Sequence, residues 1–281
     1  MEKTLTRGAG ILMPISSLPS PYGMGTLGKD AYEFVDQMVN AGQRYWQVLP
    51  IGPTSFGDSP YQSFSTFAGN PYFIDLDMLV EEGLLEKDRL EKIKWFEKED
   101  TVSYELLWEH RFDVLREAFK KSHYKEESDY PVFANETKEW LPGYSLYMAC
   151  KGHFGNREWL AWEEDIKNYT DEAVTKYRVL LSEDISFWEF VQFKFWQQWN
   201  ALHRYANKKG IQIIGDIPIY VALDSADVWT QPEQFLLDEN KKPEVVAGCP
   251  PDAFSEEGQK WGNPIYDWAY MEKDGFTWWK K

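Results

Sequence analysis

Three short apolar runs of this chain end alike, in Met13-Pro14-Ile15, Leu49-Pro50-Ile51 and Ile217-Pro218-Ile219. Proline cannot donate to a strand ladder, so each pair marks the end of a strand or an irregularity there. The first two runs, Gly10 to Ile15 and Tyr45 to Ile51, bracket a helical pattern from Asp30 to Ala41. In it Ala31, Phe34, Val35, Met38 and Ala41 fall at helical spacing, and Gly42 is placed to stop the helix. Strand, helix and strand in this order form a βαβ unit, which should be parallel and right-handed. The third run, Ile211 to Ile217, follows a long helical pattern from Ser186 to Lys209. Ser186 and Glu189 there read as a capping box, and Gly210 as the C-terminal stop. Trp188, Val191, Phe195, Trp199, Leu202 and Ala206 trace its core-facing stripe. Three buried strands finishing the same way suggest equivalent positions in a repeated (β/α) barrel.

The segment GPTSFGDSPYQSFSTFAGNPYFIDL after the second run carries no helical pattern, and its many aromatics argue against disorder. From Asp77 to Asp184 charge rises and helical patterns dominate. Tyr104, Trp108, Phe112, Leu115 and Phe119 make one apolar stripe there. The chain thus divides into residues 1–76, with two barrel strands and an active-site loop; 77–185, a helical insertion; and 186–281, a return to the barrel with the third strand and a substrate loop.

With 281 residues, 43% of them hydrophobic, the chain can bury a large core. Its net charge of −16 repels nucleic acid and anionic lipid, which discounts both as partners. Cys150 and Cys249 form no CxxC and no Cys/His cluster, so neither a zinc site nor a disulfide framework is indicated. The N-terminal apolar run before Pro14 is too short for a signal segment, and no stretch is long enough to span a bilayer. A cytoplasmic protein is expected. Gly23-Met24-Gly25 lacks the Lys-Ser/Thr of a phosphate loop. His203 reads as a satisfied helix residue.

Asp216 falls where the third strand exits into its loop. It reads either as a carboxylate facing an active-site bowl or as an Asp that caps a turn or pairs with a buried Arg. The segment Ala247 to Trp268 holds Asp252, Gln259, Trp261, Asn263, Tyr266 and Trp268 among glycines and prolines. Carboxylates and amides match vicinal hydroxyls, and aromatic faces cover the C–H face of a pyranose. The same composition also suits a surface loop whose aromatics tuck into the core. Ser59-Pro60-Tyr61-Gln62 invites the same argument, on the loop after the second strand.

Five blocks carry a resemblance: AGILMPISSLPSPYGMGTLG, YWQVLPIGPT, GDSPYQSFSTFAGNPYFIDL, IIGDIPIYV and GCPPDAFSEEGQKWGNPIYDW. Together, in this order and spacing, they resemble the amylomaltase family of 4-α-glucanotransferases. The resemblance implies a (β/α)8 barrel with inserted helical subdomains, of the α-amylase clan. It implies cleavage of an α-1,4-glucosidic bond with retention and transfer of the glucan to the 4-hydroxyl of an acceptor. The implied substrates are maltooligosaccharides and starch- or glycogen-derived glucans, and no metal or organic cofactor. By the same resemblance Tyr61 is similar to the aromatic that stacks on the donor sugar. Asp216 is similar to the Asp at the end of strand three that is structural and touches substrate. Asp252, Phe254, Ser255 and Gln259 fall on a mobile loop over bound glucan, and Trp261 and Asn263 match the WGNP motif beside the scissile bond.

One departure matters. The family's nucleophile lies on the fourth strand in an Arg-x-Asp motif, and its acid/base Glu comes later still. Arg111-Phe112-Asp113 is the Arg-x-Asp of this chain, and it reads as structural because Phe112 belongs to the helical stripe. The expectation is an N-terminal part with about three of eight barrel strands, lacking the nucleophile and the acid/base. Its open edges should leave it poorly stable unless the C-terminal part of the same barrel, or a symmetry mate, covers the third strand. Three functions are weighed: a glucanotransferase, a maltodextrin-binding fragment without chemistry, and a related hydrolase that passes its donor to water.

Overall fold

The structure is a computed structural model that describes residues 7–55, 57–98 and 100–280. In chain order its regular elements are β1 (Gly10–Leu12), α1 (Lys29–Asn40), β2 (Tyr45–Gln47), α2 (Leu76–Glu81), α3 (Lys87–Leu90), α4 (Tyr104–Lys121), α5 (Tyr130–Thr137), α6 (Leu141–His153), α7 (Glu164–Lys167), α8 (Asp171–Leu180), α9 (Ser182–Lys208), β3 (Gln212–Ile214), α10 (Ala226–Thr230), β4 (Val246–Cys249), β5 (Gln259–Pro264) and α11 (Trp268–Lys273). They gather into two compact units. The first comprises Met1–Pro53, Gly69–Thr137 and Glu189–Ile217, and the second Thr54–Ala68, Lys138–Trp188 and Pro218–Lys281. The helical middle of the chain is therefore shared, with α4 and α5 in the first unit and α6 to α8 in the second.

In the first unit β1, β2 and β3 form a parallel sheet in that order, with Ile11 opposite Trp46 and Trp46 opposite Ile213. Each strand is three residues long, shorter than its apolar run. After β1 the chain turns at Pro14 into a 3-10 turn at Ile15–Ser17. The expectation of buried strands needs correction, because the sheet has two unlike faces. Trp46 and Val48 are buried, and Trp46 donates its indole N–H to Met13 O at 2.8 Å. The register partners Leu12, Gln47 and Ile214 are exposed, Leu12 to 55% and Ile214 to 41%. Helix α1 buries Ala31, Val35 and Met38 of its predicted stripe and sets Phe34 edge-on to Trp46 at 5.1 Å, whereas Ala41 follows the helix end and is exposed.

Helix α9 starts at Ser182, so Ser186 and Glu189 lie inside it and are not a capping box. The acidic residues Glu183 and Asp184 occupy its first turn, where the helix dipole favours them. Glu189 instead pairs with Lys125 at 3.0 Å. Gly210 ends the segment with φ +86°, a left-handed backbone that suits glycine. His203 stacks on Trp199 and pairs with the Asn207 side chain at 3.2 Å. Two buried glutamines of α9 clamp the irregular segment before α2. Gln192 accepts from Gly69 N at 2.7 Å and donates to Gly69 O at 2.9 Å. Gln198 does the same to Asp75, at 2.7 and 3.1 Å. Residue 69 must be glycine, since an added Cβ would sit 2.0 Å from the Phe195 ring.

Helix α4 buries a face rotated by about one residue from the predicted stripe. Leu107, Arg111, Val114, Leu115 and Ala118 face the core, whereas Trp108 is exposed against Phe112. The shift follows from Arg111, which is fully buried and donates to Ile74 O and Tyr22 O at 3.2 Å each. Burial pulls its guanidinium down to about 10, and its charge lies 5.3 Å from the Trp95 ring. This geometry supports the structural reading of Arg111-Phe112-Asp113. Replacing Arg111 with Met should leave two buried carbonyls without donors and cost about 2–4 kcal/mol. A urea titration should show a lower midpoint at an unchanged slope.

Candidate functional site

The second unit carries every predicted site residue except Asp216, which follows β3 in the first unit and is half-buried. Residues 59–68 fold on themselves through serines. Tyr61 N donates to Ser59 Oγ at 3.3 Å, and Ser63 Oγ donates to Ser65 O at 2.7 Å. Phe67 N and Ala68 N donate to Ser65 Oγ at 3.2 and 3.3 Å. Such side-chain turns let an irregular loop hold one shape. Gln62 Nε2 donates to Asn263 Oδ1 at 3.0 Å, and Asn263 Nδ2 donates to Val221 O at 2.8 Å. Three stretches far apart in sequence thus meet at Asn263, which is buried.

Strands β4 and β5 form an antiparallel hairpin with an irregularity between Val246 and Gly248. Its connecting loop is braced by Asp252, whose Oδ1 accepts from Phe254 N at 2.8 Å and Ser255 N at 2.9 Å. Ser255 Oγ donates to Gly258 O at 2.7 Å. The brace leaves Phe254 94% exposed. Trp261 is exposed on β5 and donates its indole N–H to Gln259 Oε1 at 3.0 Å. The aromatics of this region divide between surface and core: Tyr61, Phe254, Trp261 and Trp268 are exposed, while Tyr266 is buried with its hydroxyl donating to Ile219 O at 3.1 Å.

Several supporting residues escape a sequence reading. Asp224 accepts from Tyr147 OH at 2.7 Å and from the buried ammonium of Lys151. Trp159 donates its indole N–H to Leu223 O at 2.8 Å. Ser225 caps α10 by accepting from Val228 N. The Asp224-Ser225-Ala226-Asp227 sequence, a cap with acid in the first turn, is the local signal for that helix. The partners Tyr147, Lys151 and Trp159 have none. Burial pushes the Tyr147 and Tyr266 phenols up. It also pushes the buried Cys150 thiol up to about 12, while Cys249 on β4 is half-buried. Among the described residues no group of three or more His, Cys, Asp or Glu is placed to hold a metal ion. No helix among them is long and apolar enough to cross a membrane.

The sequence matches the family model described as 4-alpha-glucanotransferase over residues 13–281. The chain belongs to the 4-alpha-glucanotransferase family. It is 53% identical over 268 residues to the 4-alpha-glucanotransferase of Clostridium butyricum, covering 95% of this chain and 55% of that protein. It is 48% identical over 275 residues to the Streptococcus pneumoniae 4-alpha-glucanotransferase, covering 97% and 54%. The amylomaltase from Streptococcus agalactiae in complex with acarbose superposes with a TM-score of 0.92 at 46% identity, covering 98% of this chain and 56% of that one. The chain spans about half the length of the family relatives it matches. The likeness supports an α/β fold for this family member.

Asn263 ties Gln62 and Val221 to β5. Changing it to Ala removes the donor to Val221 O and the partner of Gln62, and should cost about 1–3 kcal/mol. Thermal unfolding should show the loss, and hydrogen exchange should speed up in peptides covering Gln62 and Val221 while α4 stays protected.

Proposed function

We propose that this chain carries the glucan-binding part of a 4-alpha-glucanotransferase active site, acting in the cytoplasm on maltooligosaccharides and on starch- or glycogen-derived glucans. What carries the reading is the set of exposed aromatic faces, Tyr61, Phe254 and Trp261, in one compact unit with the Gln62–Asn263 amide pair. Flat apolar faces beside amide hydrogen bonds suit a pyranose, whose C–H face stacks while its hydroxyls pair. In this reading Tyr61 stacks on the donor sugar. Phe254, presented by the Asp252 and Ser255 turn, covers the chain, and Trp261 borders the bond that is cleaved. Gln259 holds the Trp261 indole, and Ser59 shapes the turn at Tyr61.

The reaction is a retaining double displacement. It requires a nucleophilic carboxylate and an acid/base carboxylate roughly 5–5.5 Å apart. Water must be kept from the glucanosyl intermediate for transfer to outrun hydrolysis. None of the chain's predicted site residues fills either role, so no catalytic residue is assigned. The fold we propose is a (β/α)8 barrel with helical insertions, in which β1, β2 and β3 are the first three strands. The exposed row of Leu12, Gln47 and Ile214 favours this, because barrel interiors are packed with inward side chains. The remainder of the barrel is the partner the reading requires. A second reading, a maltodextrin-binding body without chemistry, is favoured by the placement of Arg111 in the core of the first unit, which removes the Arg-x-Asp of this chain from any active site.

Maltoheptaose should perturb tryptophan emission, and Trp261→Ala should weaken its binding about five- to tenfold and remove much of the signal. An unchanged titration would place Trp261 outside the sugar site. A maltotriose disproportionation assay tests for chemistry in this chain. A ladder of longer oligomers with free glucose would mean that a working nucleophile lies in it and would overturn both readings, whereas binding without a ladder is the outcome both expect.

A further inference from the structure

Helix α10 grips the loop that carries Tyr61 and Gln62. Ala226 N donates to Phe64 O at 2.8 Å. Asp227, 6% exposed, accepts from Thr66 N at 3.0 Å through Oδ2. The Thr66 side chain and the Trp278 side chain also hydrogen-bond to this carboxylate. The backbone N–H groups of Thr66 and of Asp227 itself, the Thr66 hydroxyl and the Trp278 indole therefore converge on one buried acid. The gripped residues are two to four positions from Gln62, whose amide meets Asn263. Ser63 and Ser65 make the segment between them rigid through their own turns. A fixed peptide at Thr66 thus fixes the placement of Gln62 and of the adjacent Tyr61.

We propose that Asp227 is a positioning residue for glucan recognition, holding the 61–66 segment in its sugar-binding shape and doing so as the carboxylate. The proposal rests on the glucan-binding reading above. Four donors need four acceptor lone pairs on two oxygens, which an ionised carboxylate supplies. A protonated acid turns one of its oxygens into a donor and cannot satisfy them all. Burial pushes Asp227 up to about 6, against the hydrogen bonds that pull it down. Other titratable and charged groups surround it. Tyr147 of α6 and the Tyr266 that follows β5 are pushed up and stay neutral. Arg178 of α8 and Glu139 line, with Asp227, a cavity of about 230 Å³ through which a proton can reach it.

The signs of the two pH effects differ. The native state binds this proton more tightly than the unfolded chain does, because the folded value lies above the usual carboxylate value. This group's contribution to stability therefore rises as pH falls through about 6 towards the unfolded value. The grip on Thr66 weakens over the same interval. A purely structural acid would move stability alone.

The test uses the whole chain, with Asp227→Asn as an isosteric variant that stays uncharged. Maltoheptaose binding is followed by tryptophan emission from about pH 5 to about pH 8, and hydrogen exchange is read on peptides covering 61–68 without sugar. Wild-type affinity should fall about fivefold as pH drops through 6, the loss of one hydrogen bond. D227N should bind at the weak acid level across the range with a flat profile. Its 61–68 peptides should exchange faster, and its melting temperature at neutral pH should not fall. Equal affinity of D227N and wild type at neutral pH, or unchanged exchange in 61–68, overturns the proposal. Wild type that never binds maltoheptaose overturns the glucan reading, and the exchange comparison then decides alone whether Asp227 holds the segment.

Discussion

Irregular backbone can be buried only if each of its N–H and C=O groups finds a partner, and in this chain side chains supply many of those partners. The three strands of the parallel sheet are three residues long, and the β4–β5 hairpin adds only one short ladder, so ladders satisfy little of the chain. Gln192 and Gln198 each close a two-way amide pair on a peptide of the 69–75 segment. Arg111 of α4, in the same unit, binds two further carbonyls. In the second unit Asn263 holds Val221 O, Trp159 holds Leu223 O, and Asp227 holds Thr66 N. Each of these side chains is buried or nearly so, where an unmade bond is most costly.

This arrangement accounts for the unequal character of the second unit's surface. The supporting residues are polar and inside, whereas the large apolar rings of Phe254 and Trp261 are outside. A core built for its own stability would bury those rings first, since each would contribute about 1.5–3 kcal/mol. Their exposure is held in place by local turns, Asp252 with Ser255 beneath Phe254 and Gln259 beside Trp261. The loop backbone is therefore shaped before any ligand arrives, which lowers the ordering cost of binding.

Short-range features were legible in the sequence. Helix α1, the Gly210 stop and the three parallel strands all follow from spacing and turn residues. The stripe on α4 was misplaced because a buried arginine does not register as a core residue in an apolar pattern. The start of α9 was misplaced because a capping box can occur inside a helix that already has an acidic first turn. Buried strands were expected because apolar runs do not tell which face has a neighbour, and Leu12 and Ile214 lie on the exposed one. In the candidate site, the residues with sugar-compatible chemistry could be named from composition and motif. Their supports could not, because Lys151 and Asp224, or Thr66 and Asp227, are joined only by the folded path of the chain.

Both cysteines of the chain, Cys150 and Cys249, fall in the second unit. Burial holds the Cys150 thiol far from its reactive thiolate form, and Cys249 sits half-covered on the hairpin that presents Trp261. A thiol-directed label therefore reports on one unit and is silent on the other. Cys249 senses opening of the hairpin, and Cys150 senses loss of the interior around α6. The protein thus carries two built-in chemical clocks, set at different depths of the same body.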